Sequence, residues 1–131
     1  MSHHREPVTA LGAPAAIGPY SHAVRTGNLL FCSGQIPLDP ETGELVDGPP
    51  ADQARRCLEN LIAVCSAAGA SLADAVRMTV YMTDLSAFAE VNEAYAEFFS
   101  DGDPPARVAI GVAALPKGAT VEIDAVVALP S

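Results

Sequence analysis

The sequence has few basic residues and lacks any long apolar run. It contains 7 Lys and Arg against 16 Asp and Glu, for a formal net charge of −9. A protein that binds a nucleic-acid backbone or an anionic membrane surface needs clustered Lys and Arg, whereas those here are scattered. No segment approaches the roughly 20 apolar residues of a membrane span, and no run of signal-peptide length opens the chain. We therefore expect a soluble, cytoplasmic protein with no nucleic-acid or membrane partner.

Aromatic residues are also scarce, at 5% of 131 residues with no Trp, although half of the residues are hydrophobic. Ala, Val and Leu must therefore build most of the core. The length is typical of one domain and is sufficient to bury a core. We expect a single domain over residues 1–131, with residues 1–6 as a disordered tail. We also expect an oligomer, because association would bury additional apolar area.

The three cysteines do not form a Cys-x-x-Cys pair, the spacing that is typical of zinc and redox sites. Cys32, Cys57 and Cys65 lie within apolar stretches, which indicates reduced thiols in the core of a cytosolic protein. We assign the pair His3-His4 to the terminal tail. No metal site is predicted.

The first half of the chain predicts a hairpin followed by a helix. Gly27-Asn28 is a turn signal between two short extended runs, and residues 29–32 after it read as a buried strand. Apolar residues then recur at helical spacing from Ala51 to Ala68, with Gly69 in place to cap the helix.

The second half predicts a strand, a helix and two further strands. Residues 75–82 alternate with period two, with Val76, Met78, Val80 and Met82 on the buried face. Asp84 or Ser86 can cap the next helix, whose apolar stripe is Leu85, Phe88, Val91, Tyr95 and Phe98. Two strands follow around a Pro-Lys-Gly turn. This order favours an α+β, two-layer domain in which both helices cover one sheet face.

The last two strands each carry a charge among apolar neighbours. If Val108 points to the helix-covered face, alternation puts Arg107 on the opposite face, and the same rule applied to Val121 puts Glu122 there too. We expect Arg107 and Glu122 to share the face without helices, in a cleft that another subunit covers. An Arg fork matches a carboxylate, and a Glu can activate water or relay a proton. A plain ion pair between strands or subunits would explain the same pattern.

Six segments between about Ala13 and Ala128 occur in order and without a large gap: APAAIGPYSHA, SGQIPLDPETGELV, LENLIAVCSAAGASLADAV, TVYMTDLSAFAEVNEAY, PPARVAIG and LPKGATVEIDAV. Together they closely resemble the Rid family, specifically its RidA branch of enamine/imine deaminases. The resemblance implies a chorismate-mutase-like fold with a mixed sheet of about six strands and two helices on one face. It also implies a homotrimer with clefts between subunits.

The activity that the resemblance implies is hydrolysis of reactive 2-imino acids, such as 2-iminobutanoate and 2-iminopropanoate, to 2-oxo acids and ammonia. Such a hydrolase acts on C=N bonds and needs no cofactor. Its partner would be the small-molecule imino acid, which pyridoxal-phosphate enzymes such as threonine or serine dehydratase release. The alternative is a non-catalytic trimer that binds small carboxylate ligands with the same Arg. Nucleic-acid cleavage, claimed for some relatives, conflicts with the acidic composition.

The resemblance carries the family's site residues over by position. Its carboxylate-binding Arg matches Arg107 in PPAR, and its water-orienting Glu matches Glu122 in VEI. The other cleft residues match four positions, namely Tyr20 in IGPY, Ser33 and Gly34 in CSGQ, and Asn92 in EVNEAY.

Each polar cleft residue also has a structural interpretation. Tyr20 would close the apolar end of the cleft or anchor its loop by packing. Ser33 would bind substrate or water, or cap the turn before Gly34. Asn92 would face the cleft or bond to nearby backbone.

Three positions depart from the usual RidA pattern. Ala109 stands where many relatives carry Cys, and Val108 where Ser is common, so no thiol takes part. We expect these changes to alter cleft shape or substrate preference. His22 replaces a frequent Gln, and we interpret it as a neutral surface residue.

Overall fold

A computed structural model of the chain describes residues 4–130. The strands are β1 (Glu6–Val8), β2 (Ala23–Thr26), β3 (Leu29–Gln35), β4 (Ala75–Met82), β5 (Ala106–Gly111) and β6 (Val121–Ala128). The helices are α1 (Pro50–Ala67) and α2 (Phe88–Ala96), and short 3-10 turns lie at Leu72–Asp74, Leu85–Ala87 and Pro116–Gly118. The predicted order of elements is confirmed.

The six strands form one mixed sheet in the order β1-β2-β3-β6-β4-β5. Only β4 and β5 pair in parallel within the described chain, and the other neighbours are antiparallel. The turn predicted at Gly27-Asn28 joins β2 to β3. β5 is therefore an edge strand, and β4 separates it from β6.

The first strand shortens the expected N-terminal tail. Glu6 begins β1 and pairs with Arg25 of β2, so the tail predicted over residues 1–6 does not extend to Glu6. His4 is exposed, whereas His3 lies outside the described residues.

Helix α1 begins and ends on the signals that the sequence provides. Pro50 occupies its first turn, where the missing N–H of proline has no helical partner to lose. At its end Gly69 adopts a φ of 71° and donates its N–H to the carbonyl of Ser66, while Ala70 donates to Cys65. These two bonds form a Schellman motif. Within residues 4–130 no helix combines the length and apolarity that crossing a bilayer requires.

The core lies between the sheet and the two helices, and its buried side chains form one cluster. Its most deeply buried large members are at most 1% exposed and include Leu58, Leu61, Met78, Val80, Met82, Val121 and Ile123. Burial of each such side chain contributes about 1.5–3 kcal/mol. Val76, predicted to share this face, is instead 48% exposed, because the pairing of β4 with β6 shifts between Ala75 and Arg77. The predicted α+β, two-layer fold is confirmed.

All three cysteines are buried with free thiols, as the sequence predicts. Among residues 4–130, no group of three or more His, Cys, Asp and Glu side chains is arranged to hold a metal ion.

Candidate active site

Four predicted site residues line one cavity of about 450 Å³, namely Tyr20, Ser33, Gly34 and Glu122. The rest of its wall is largely apolar and comes from the loop before β2, the segment after β3 and the turn before β6. We call this space the Glu122 cavity. Its basic lining residue, Lys117, is exposed and reaches the Gly43 carbonyl at 3.5 Å.

Glu122 points away from the helices because its neighbours Val121 and Ile123 are fully buried in the core. Its half-buried carboxyl lies directly against the backbone of Gly34, where any Cβ would overlap it. A side chain at this position of β3 would therefore displace the carboxyl. Burial, and to a lesser degree the negative charge of Asp124, raise the pKa of Glu122 above its usual value. A carboxyl of this kind is suited to proton transfer.

Tyr20 and Ser33 flank the acid from two segments. The Ser33 hydroxyl donates to the Ser21 carbonyl at 2.6 Å, so its proton has a structural role while its oxygen can still accept a bond. Tyr20 is 49% exposed, which does not fit a loop anchor held by packing.

Arg107 and Asn92 meet in a different cavity, of about 380 Å³, which we call the Arg107 cavity. The Nη1 of Arg107 donates to the Oδ1 of Asn92 at 2.6 Å. The guanidinium carbon lies 5.3 Å from the ring centre of Phe88 and 4.9 Å from that of Tyr95. Each cation–π contact of this kind contributes about 0.5–1 kcal/mol at an exposed site. Helix α2 thus fixes the guanidinium while leaving other donors free.

The prediction that Arg107 and Glu122 share the face without helices is wrong. Arg107 of β5 is the register partner of Met78 of β4, whose side chain is buried under the helices. Glu122 of β6 is the register partner of Tyr81, which lies on the opposite face of β4. The two residues also stand on strands that are not neighbours. No salt bridge joins Arg107 to an acidic side chain within residues 4–130, so the ion pair within the chain is not observed either.

Side chains do alternate between the two faces of β5, but the residues expected on the helix side lie on the helix-free side and the reverse. Val108 and Ile110 are 42% and 40% exposed and pair on the face that carries Glu122. On the helix side, Gly111 leaves space for Leu85, because an added Cβ would lie 3.1 Å from Leu85 Cδ1. An edge strand can therefore turn branched residues away from its own helices when the helix side is already filled.

Sequence reasoning also missed several features. Tyr95 is buried in the core and Phe88 packs against it, as predicted, but the rings of both also lie beside Arg107. The spacing of Phe88, Asn92 and Tyr95 on one helix face was the available signal. The Tyr95 hydroxyl is buried without a hydrogen-bond partner in the described chain. His22, interpreted as a surface residue, is only 5% exposed.

Comparison with known proteins decides the family. The model of the family described as Endoribonuclease L-PSP matches residues 10–129. The chain belongs to the Rid family. A Rid relative from mouse, 2-iminobutanoate/2-iminopropanoate deaminase, is 44% identical over 122 residues, which cover 93% of this chain and 90% of that protein. A RutC family protein of Pyrococcus horikoshii is 50% identical over 122 residues, 93% of this chain and 96% of its own length.

Solved Rid structures share the fold. The crystal structure of Escherichia coli TdcF with bound serine superposes with a TM-score of 0.90 at 43% identity and covers 95% of this chain and 99% of that one. The predicted family and fold are thereby confirmed. The family includes proteins named as imine deaminases and one with a bound amino acid.

Proposed function

We propose that this protein hydrolyses short 2-imino acids, such as 2-iminobutanoate and 2-iminopropanoate, to 2-oxo acids and ammonia. The observation that carries the proposal is a half-buried carboxyl with a raised pKa, Glu122, in a largely apolar cavity large enough for a short substrate. The name of the mouse relative supports the same substrate class. The alternative, a trimer that only binds carboxylates, would have no use for Glu122.

The site forms between subunits, because one protomer presents its two parts on opposite faces of its sheet. When Arg107 of one protomer enters the Glu122 cavity of the next, different surfaces meet, which makes the contact heterologous. Heterologous contacts generate a ring when the rotation between successive copies closes. We propose the homotrimer as that ring, and the exposed Phe31, Val108 and Ile110 supply apolar surface for it to cover.

Arg107 binds the substrate carboxylate. Its Nη1 bond to Asn92 and its stacking on Phe88 and Tyr95 fix the plane of the guanidinium. The Nε and Nη2 edge is then free to bind both carboxylate oxygens. Holding the substrate by this end fixes the C=N carbon relative to the acid on the facing subunit, and such orientation supplies much of the rate enhancement.

Glu122 moves the protons. Its carboxylate takes a proton from water while the water oxygen bonds to the iminium carbon, which gives a neutral carbinolamine. The protonated Glu122 then donates to nitrogen, and the C–N bond breaks as the hydroxyl oxygen forms the C=O bond. The hydroxyl proton passes to the departing ammonia, which leaves the 2-oxo acid, ammonium and ionised Glu122. A raised pKa suits both steps, because the same carboxyl must be able to accept and release a proton near neutral pH.

The test is a coupled assay in which a threonine dehydratase generates 2-iminobutanoate and the rate of 2-oxobutanoate formation is followed. We expect Arg107→Ala to raise KM steeply, and Glu122→Gln to lower kcat by about a hundredfold or more while 2-oxobutanoate still binds. The exposed Arg5 and Glu41 supply matched controls, R5A and E41Q, with unchanged rates. Full turnover in Glu122→Gln would reject the mechanism, whereas a parent protein that binds 2-oxobutanoate without accelerating imine hydrolysis would favour the carboxylate binder.

A further inference from the structure

We propose that His22 is a positioning residue for the Glu122 cavity, acting through the loop that carries Tyr20, and that protonation of His22 releases this loop. The loop consists of residues 9–21, between β1 and β2. The proposal deepens the function proposed above and rests on it for its activity readout.

The imidazole of His22 is buried and bridges two points of this loop. Its Nδ1 accepts the backbone N–H of Ala10 at 2.9 Å, and its Nε2 lies 2.8 Å from the carbonyl oxygen of Pro14. An amide N–H can only donate and a carbonyl can only accept. Nδ1 must therefore be unprotonated and Nε2 must carry the proton, so the two partners select one neutral tautomer.

The loop is held at its two ends more than along its outer part. Ala10 and Ala13 pack into the core, and the carbonyl of Ser21 accepts the hydroxyl of Ser33. Between them Ile17 is 70% exposed, and one backbone bond, from Ala13 to Ala10 at 3.3 Å, lies beside the imidazole. The two bonds of the imidazole add to these contacts in fixing the loop's path.

The same loop builds one wall of the Glu122 cavity. Pro14, Ile17 and Tyr20 all line that cavity, and Pro14 also provides the carbonyl that His22 binds. The backbone carbonyl of His22 accepts the N–H of Ser33 at 2.9 Å, which ties the loop to β3 next to the acid. A shift of the imidazole would consequently move the wall that faces Glu122.

Protonation is incompatible with this bridge. A histidinium would point a second N–H at the amide of Ala10, so one hydrogen bond is lost and a buried donor is left unpaired. Among the described residues, Tyr20 is the one other titratable side chain that lines the cavity on one side of His22, and no Asp or Glu lines that cavity to stabilise the cation. Protonation of His22 should therefore release the loop.

Substitution of His22 by glutamine tests the effect of protonation separately from the effect of losing the bridge. Its side-chain oxygen can accept from Ala10 and its NH₂ can donate to Pro14, but the amide does not take up a proton as an imidazole does. His22→Gln therefore keeps the bridge, and His22→Ala removes it. His4→Gln is the matched control, because it makes the same change at an exposed position away from the cavity.

The functional test measures the dissociation constant of 2-oxobutanoate by titration, together with KM in the coupled assay, between about pH 5.5 and pH 8. Near pH 8 we expect His22→Gln to match the parent within about threefold and His22→Ala to be weaker by about tenfold. Towards acid pH the binding of 2-oxobutanoate by the parent and by His4→Gln should weaken relative to that by His22→Gln. All of these proteins contain Glu122, so its titration affects them equally. The ratio of the dissociation constants of the parent and His22→Gln therefore reports the state of His22.

A structural readout does not depend on turnover. Hydrogen exchange of the Ala10 amide should be slow in the parent and in His22→Gln, and fast in His22→Ala. Nitrogen–proton correlation spectra should show the Nε2-protonated tautomer of His22 in the parent at about pH 8.

The outcomes are distinguishable. A constant ratio between parent and His22→Gln across this pH range would overturn release by protonation, and it remains measurable if His22→Ala fails to fold. An Ala10 amide that exchanges equally slowly in His22→Ala would overturn the positioning role. A parent protein that neither binds 2-oxobutanoate nor turns over imine would refute the proposed function, while exchange and tautomer would still decide whether His22 fixes the loop.

Discussion

At the scale of single residues, the chemistry of Glu122 follows from what surrounds its carboxyl. Half-burial against Gly34 removes water from the charged form, and Asp124, two residues along the same strand face, adds a like charge. Asp124 is itself held by the hydroxyl of Tyr81 at 2.8 Å, so its charge stays near the acid. Both effects favour the protonated form of Glu122.

Removal of the like charge should therefore lower the pKa of Glu122. In Asp124→Asn the negative charge is gone while the burial remains, so the raised pKa should fall part of the way towards its usual value. The acidic limb of kcat/KM, where activity appears as Glu122 ionises, should shift to lower pH. The pH–rate profile measures this shift, and Asp74→Asn, which removes an exposed carboxylate, should not produce it. A shift in the opposite direction would contradict the role given to Asp124.

The site residues themselves could be predicted from the sequence. A charge in an apolar strand or a Tyr in a Gly-Pro loop conflicts with folding preference, which indicates a role in function. Each of the six predicted site residues lines one of the two cavities. The contacts that these residues make with one another could not be predicted. Nothing in the alternation of β6 shows that Gly34 of β3 lies under the Glu122 carboxyl, since that depends on the irregular pairing of β3 between Cys32 and Gln35.

At the scale of elements, prediction succeeded where one face of an element is clearly apolar and failed where both are mixed. Helix α1 was placed within one residue at each end, because its buried stripe and its C-terminal glycine agree. Strand β5 offered Val108 and Ile110 on one side and small residues beside Arg107 on the other. Alternation cannot choose between two such phases when oligomer contacts also need apolar surface.

Helix α2 positions the guanidinium, and Asn92 is its directional contact. Asn92→Ala removes the bond to Nη1 of Arg107 but leaves the stacking on Phe88 and Tyr95. A hydrogen bond to a charged group contributes about 1.5–3 kcal/mol, so KM for 2-iminobutanoate should rise about tenfold or more with a smaller change in kcat. Glu93→Ala, the adjacent exposed position of the same helix, controls for helix stability. Equal KM values in the two variants would remove Asn92 from the site.

At the scale of the whole molecule, the placement of the two cavities makes assembly a condition of the proposed activity. An acid on one sheet face and a cation on the other cannot hold the same small anion within one protomer. The apolar residues exposed on the helix-free face, Phe31, Val108 and Ile110, give the assembly a surface to bury, which compensates for a core with few aromatic residues.

Sites shared between subunits predict complementation between two inactive variants. Arg107→Ala and Glu122→Gln protomers, unfolded together in equal amounts and refolded, should form mixed rings. A site then has one chance in two of receiving an intact Arg107 from one protomer and the same chance of an intact Glu122 from its neighbour. At a substrate concentration near the KM of the parent, about one quarter of the parent activity should return, whereas each variant refolded alone keeps its own low rate. A mixture as inactive as its components, with mixed oligomers verified by native mass spectrometry, would place both residues of any working site in one chain and refute the shared site.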